Sequence, residues 1–199
     1  NHGEAVVGPA GYADIVNIAG FNYRMTELQA GMAREQLKKL DVLNSQRLEM
    51  VRLLIDLLDS NPYISVLTGG SAGTRSTSQA TYYVVPLRFN HATADVSRTQ
   101  FVQALNAEGL LLAEGYVRPL YFQPLYQTRT LFKHGYPWTA PPNLASKPDY
   151  SPGSCPVAEQ LHFEDLIVSE HVRPPHDLTD MQDMISAINK VCGIRNGPL

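Results

Sequence analysis

A carboxamide, a phenol and a guanidinium stand consecutively at Asn22-Tyr23-Arg24, just before the helix-start pattern Thr26-Glu27-Leu28-Gln29. A helix N-terminus offers unpaired amides and the positive end of the helix dipole, both of which suit an anion such as phosphate. Asn22 is able to donate to phosphate oxygens, and Arg24 to grip a phosphate or carboxylate through two parallel hydrogen bonds. The same residues also suit a structural role, ordering a loop where a helix begins. No nucleophile elbow, phosphate loop or dinucleotide fingerprint is present, and the glycines at 3, 8 and 11 follow no strand pattern. Histidines at 2, 91, 134, 162, 171 and 176 form no pair at metal-ligand spacing, so no metal site is expected. Glu164 and Asp165 sit among other charges and read as a solvated face. Residue type and spacing alone name no reaction.

The surrounding elements must position that segment. A chain of 199 residues makes one ordinary domain, or a small domain with borrowed elements. With 44% hydrophobic residues and a net charge of −3 it reads as globular. Its scattered Lys and Arg argue against a nucleic-acid partner. No stretch approaches the roughly 18–20 apolar residues of a membrane span, so no membrane partner is expected. Cys155 and Cys192 read as free thiols of a reducing compartment, which points to the cytoplasm, with a single disulfide as the alternative. The chain opens on Asn1, no secretory leader is expected, and its first 20 residues read as irregular connection. A missing upstream portion is the expectation that follows, with a frayed N-terminus as the alternative.

Thr26 to Gln29 is a capping box, after which Leu28, Met32, Leu37 and Leu40 share a face. That face is expected to lie bare in the isolated chain, its natural cover being elsewhere. A break is expected over Asp41–Asn44, then a second helix on Leu48, Val51, Leu54, Ile55 and Leu58 that Asn61-Pro62 stops. Strands are expected at Tyr63–Thr68, at Thr81–Phe89 and at Leu110–Leu112, with a polar loop over Gly69–Ser78. Pro86 places the second of these at a sheet edge or a bulge. Ser97 opens a helix that buries Phe101, Val102 and Leu105. Thr179 opens the last helix, with Met184, Ile185, Ile188 and Val191 inward and Gly193 at its end. Between Tyr116 and Tyr150, prolines and aromatics predict ordered loop with short helical turns. The fold class is α/β, of the α+β kind: long helices, then a small, mainly antiparallel sheet covered by helices.

The run from Gly20 to Ala30 closely resembles the G-x-N-x-R-M-T-E-x-Q-A signature of the DegT/DnrJ/EryC1/StrS aminotransferases. Further likenesses follow in the family's order. Asn1-His2-Gly3 is similar to its R-x-H-G segment, and Tyr116–Tyr121 to its Y-x-P-L-H stretch. Pro156–Glu159 is similar to P-x-A-E, and Asp177–Val191 to the family's final helix. The stretch Leu166–Pro175 departs from the usual L-P-L-H-P and is closer to aminocyclitol-forming relatives.

The resemblance implies the C-terminal part of a fold type I enzyme that uses pyridoxal 5'-phosphate (PLP). Such an enzyme passes an amino group from glutamate or glutamine to a keto-sugar nucleotide or a keto-cyclitol, and works as a homodimer. Residues 1–25 would be a loop from the end of the large domain, 26–60 connecting helices, and 61–199 the small domain. Asn22 matches the residue that reaches the cofactor phosphate of the other subunit. Arg24 matches a substrate-side position, and Tyr121 stands at the substrate mouth where many relatives carry His. No catalytic residue is assigned. The lysine that holds the cofactor would lie upstream, because Lys38, Lys39, Lys133, Lys147 and Lys190 match no such motif. A non-catalytic relative, or an inactive fragment needing a partner large domain, is the alternative.

Overall fold

A computed structural model of the chain describes residues 23–68, 80–141, 143–146 and 148–193. The expected N-terminal connection up to Asn22, Asn22 itself and the expected loop over residues 69–78 lie outside them. The chain divides into two compact units, Asn1–Asp41 and Val42–Leu199.

In the first unit, helix α1 (Glu27–Leu37) begins where the capping box places it. The Gln29 amide donates to Thr26 Oγ1 at 3.3 Å and the Thr26 amide donates to Gln29 Oε1 at 3.0 Å. None of its residues is buried. Leu28 is 76% exposed, Met32 63% and Leu37 67%, so the apolar face is bare as expected. The helical break falls at Lys38-Lys39 rather than over Asp41–Asn44, and α2 (Leu40–Leu57) runs through those residues. Asp41 belongs to the first turn of α2, where an acid complements the helix dipole.

The second unit is built on a four-stranded antiparallel sheet in the order β1-β2-β4-β3. Its strands are β1 (Ile64–Val66), β2 (Val85–Phe89), β3 (Leu112–Glu114) and β4 (Leu166–Ser169). Alternate residues Val85, Leu87 and Phe89 of β2 are buried, as the two-residue period of a half-covered strand requires. They form one core with Met50, Val51, Leu54 and Leu58 of α2 and its end, Ile167 of β4, and two further helices. Those are α3 (Arg98–Ala107), through Phe101, Val102 and Leu105, and α7 (Leu178–Val191), through Met181, Met184, Ile185 and Ile188.

Three expectations need correction. Pro86 lies in an internal strand, not at an edge: Pro86 faces Val168 across the β2–β4 ladder. Its carbonyl accepts the Leu67 amide at 2.8 Å, so the missing N–H also points toward β1, one residue past the last pair, Val66 with Leu87. The sheet asks for no donor there. The third strand starts at Leu112 rather than Leu110. Gly109, at φ +100°, turns the chain out of α3 so that the Leu110 amide returns to the Leu105 carbonyl at 3.2 Å. The Leu111 amide meets His171 Nε2 at 3.0 Å. Finally, the last helix is capped by Asp177, not Thr179. The Asp177 carboxylate accepts from the amides of Thr179 (2.7 Å) and Asp180 (3.3 Å), and Asp180 Oδ2 accepts from the Asp177 amide (2.8 Å).

Between β3 and β4 the chain makes 3₁₀ turns at Leu120–Phe122 and Lys133–Gly135 and short helices α4 (Pro124–Thr128), α5 (Asn143–Ser146) and α6 (Pro156–Gln160). A π turn, Leu161–Asp165, then leads into β4. Arg98, in the first turn of α3, fastens this return to the sheet. Its Nη1 donates to the carbonyls of His162 (3.0 Å) and Leu166 (3.1 Å), and its Nε pairs with Glu114 of β3 at 3.2 Å. Among the described residues no helix is long and apolar enough to cross a membrane. Leu54→Ala should cost about 2–5 kcal/mol, the usual range for truncating a fully buried leucine. Leu28→Ala should change stability by less than about 0.5 kcal/mol. Urea denaturation of both variants checks the contrast.

Candidate functional site

Of the three residues singled out from the sequence, Asn22 lies outside the described residues. Arg24 is exposed two residues before the Thr26 cap, ahead of α1. Glu27 occupies the first turn and already complements the helix dipole, so any attraction for an anion at this end rests on the Arg24 charge.

Tyr121 belongs to the second unit, in the 3₁₀ turn after Pro119, and is half-buried. Its ring packs on Phe122 at 4.7 Å, and its carbonyl accepts from Gln127 Nε2 at 2.5 Å. The same Gln127 amide donates to the Tyr150 carbonyl at 2.7 Å, and Trp138 donates to the Tyr150 hydroxyl at 2.9 Å. Tyr121's own hydroxyl donates to Glu159 Oε1. That oxygen also accepts the Gly153 amide at 2.7 Å. Partial burial of the hydroxyl, then the hydrogen bond to the Glu159 carboxylate and its charge, push the Tyr121 phenol up to about 12. Donation from Tyr121 holds the Glu159 carboxyl below its ordinary range. Glu159 stands in the P-x-A-E segment of the sequence, but its partnership with Tyr121 spans 38 positions and no local pattern announces it.

Asp165 corrects the reading of Glu164-Asp165 as a solvated face. Glu164 is exposed, whereas Asp165 is 1% exposed. Its carboxylate accepts from Arg88 Nη2 (3.1 Å) and Nε (3.2 Å) and from Gln160 (3.3 Å), and meets His91 Nδ1 at 3.2 Å. Asn61, Ser65, Arg88, Asn90, His91 and Asp165 line a cleft of about 370 Å³ here. His91, Glu164 and Asp165 bring ligand atoms within 4.8 Å of one another, a grouping the sequence spacing hides. Both Asp165 oxygens already have protein partners, which accounts for the burial of this charge without an ion. Cys155 and Cys192 are free thiols.

Residues 1–141 match the model of the DegT/DnrJ/EryC1/StrS aminotransferase family. The chain belongs to this family. It is 30% identical over 192 residues to the L-glutamine:2-deoxy-scyllo-inosose aminotransferase of Streptomyces kanamyceticus, covering 92% of this chain and 42% of that protein. Identity is 27% over 176 residues to the putative L-glutamine:3-amino-2,3-dideoxy-scyllo-inosose aminotransferase of Micromonospora echinospora, with 87% and 40% covered. Among solved structures, S. venezuelae DesV superposes with a TM-score of 0.65 at 19% identity, over 96% of this chain and 42% of that one. The fold is therefore that of the corresponding part of DesV. This DegT/DnrJ/EryC1/StrS chain spans about two fifths of the length of the curated relatives it matches.

Because the Tyr121 phenol is raised from 10.0 to about 12, the unfolded chain ionises first as pH rises. The stability this group contributes is whole below pH 10 and is lost as pH climbs toward 12. Tyrosine ¹³Cζ NMR across this range should show the Tyr121 midpoint near 12, well above the ordinary 10.0. Glu159→Gln should bring its midpoint down toward 10 without reaching it, because the burial remains. An unmoved midpoint would show that Glu159 does not act on the phenol.

Proposed function

We propose that the chain is the C-terminal segment of a PLP-dependent aminotransferase that moves an amino group from glutamate or glutamine to a keto-sugar nucleotide or a keto-cyclitol. The observation that carries this reading is the family signature of residues 20–30, standing immediately ahead of and into a capped helix with Arg24 exposed beside it. The two scyllo-inosose aminotransferases among the relatives favour a cyclitol. When bound, PLP supplies the electron sink through which an amine and a ketone exchange their nitrogen.

The described residues do not themselves fit the anchoring end of that cofactor. Lys38, Lys39, Lys133 and Lys190 are all exposed, whereas an anchoring amine requires burial or a neighbouring cation to lower its pKa. What fits is recognition. Asn22 would bind the cofactor phosphate across a homodimer interface, Arg24 would bind a phosphate or carboxylate of a substrate, and Tyr121 would line the substrate mouth. The anchoring lysine would come from outside these 199 residues, in a cytoplasmic enzyme whose large domain covers the bare face of α1.

Mixing the 199-residue chain with PLP and borohydride tests the assignment. No lysine should be trapped specifically; a single stoichiometric adduct would make one of the chain's own lysines the anchor. In the full-length protein, Asn22→Ala should weaken PLP retention about tenfold, the weight of one charge-assisted hydrogen bond. Fluorescence titration with PLP measures this, and unchanged affinity would remove Asn22 from the cofactor site.

A further inference from the structure

Tyr121 has one proton to give, and it is committed. A phenol carries a single donor and otherwise only acceptor lone pairs. Here the donor is spent on Glu159 Oε1. Glu159 is itself fixed: it lies in α6, its amide donates to the Cys155 carbonyl at 3.0 Å, and its Oε1 also holds the Gly153 amide at 2.7 Å. The Tyr121 ring packs against Phe122 at a tilt of 36° and its backbone is held at the carbonyl by Gln127, so moving the hydroxyl off Glu159 gives up packing.

We infer that Glu159 is a positioning residue: by holding the Tyr121 hydroxyl as a donor, it leaves the Tyr121 oxygen to act as an acceptor for a ligand's own O–H or N–H. The inference rests on the reading of Tyr121 as a substrate-side residue and names the part of the substrate it takes. Glu159 remains a carboxylate, since donation from Tyr121 holds its pKa down. Its negative charge beside the phenol turns away phosphate and carboxylate groups and leaves neutral donors. The ligand class is therefore a hydroxyl-rich ring presenting an O–H to this corner, the opposite of the anion that suits Arg24. A tyrosine with its proton free would accept either class, so the selectivity belongs to Glu159 and not to Tyr121 alone.

The test uses the full-length protein carrying this chain, labelled with ¹³C at tyrosine Cζ, the Tyr121 signal being assigned by its loss in Tyr121→Phe. myo-Inositol and, separately, inorganic phosphate are the probes. myo-Inositol should move the Tyr121 resonance, and phosphate should not. Glu159→Leu, which removes the acceptor, should weaken the inositol response about tenfold and admit a phosphate response, whereas Glu159→Gln, which still accepts, should keep the inositol affinity within about threefold. Inositol binding followed by calorimetry should fall equally in Tyr121→Phe, so the inference stays falsifiable if Glu159→Leu does not fold. A phosphate response in the unmodified protein, or equal losses in Glu159→Gln and Glu159→Leu, overturns the inference while keeping Tyr121 at a ligand site. No response to either probe overturns both the inference and the substrate-side reading.

Discussion

The second unit depends on one strand. β2 is paired on both sides, and its Val85, Leu87 and Phe89 supply the surface on which α2, α3 and α7 close. Leu87 and Phe89 are fully buried, as are Leu54 of α2, Leu105 of α3 and Ile188 of α7, so each helix reaches the same apolar layer. Burial of this kind is non-directional. The directional fixings are polar, among them the Arg98 guanidinium on two carbonyls of the return into β4 and Asp165 against Arg88 of β2.

The helices were the legible part of the sequence because their signals are local. Thr26 with Gln29 and Ser97 with Gln100 cap in the manner their four-residue patterns announce. Asp177 is hard to read as a cap because Asp180, rather than Glu or Gln, returns its hydrogen bond, and Thr179 three residues before Gln182 offers a rival pattern. Pro86 misled for a related reason. A proline tells that a donor is missing, but not whether the neighbouring strand extends far enough to need one. Asp165 was illegible altogether, since its partners Arg88 and His91 lie 77 and 74 positions away. Glu159 hides in the same way from Tyr121. Of the residues expected to bind ligand, Arg24 and Tyr121 are placed and Asn22 is outside the described chain.

The polar features of the two units differ in character. An exposed arginine precedes α1, while an acceptor-rich tyrosine and a carboxylate mark the aromatic turn after β3. The lysines that are described all face solvent.

The carboxamide of Asn106 has a consequence of another sort. It donates to the Leu112 carbonyl at 3.0 Å and accepts the Leu112 amide at 2.8 Å, copying both hydrogen bonds that a fifth strand would make to that residue of β3. At the opposite border, β1 is only three residues long, and its Ile64 amide is already taken by the Asn61 carboxamide oxygen at 3.1 Å. Among the described residues each border is short and partly occupied, so a stray polypeptide finds little open backbone on which to zip, and two asparagine side chains help guard the sheet against fibrous growth.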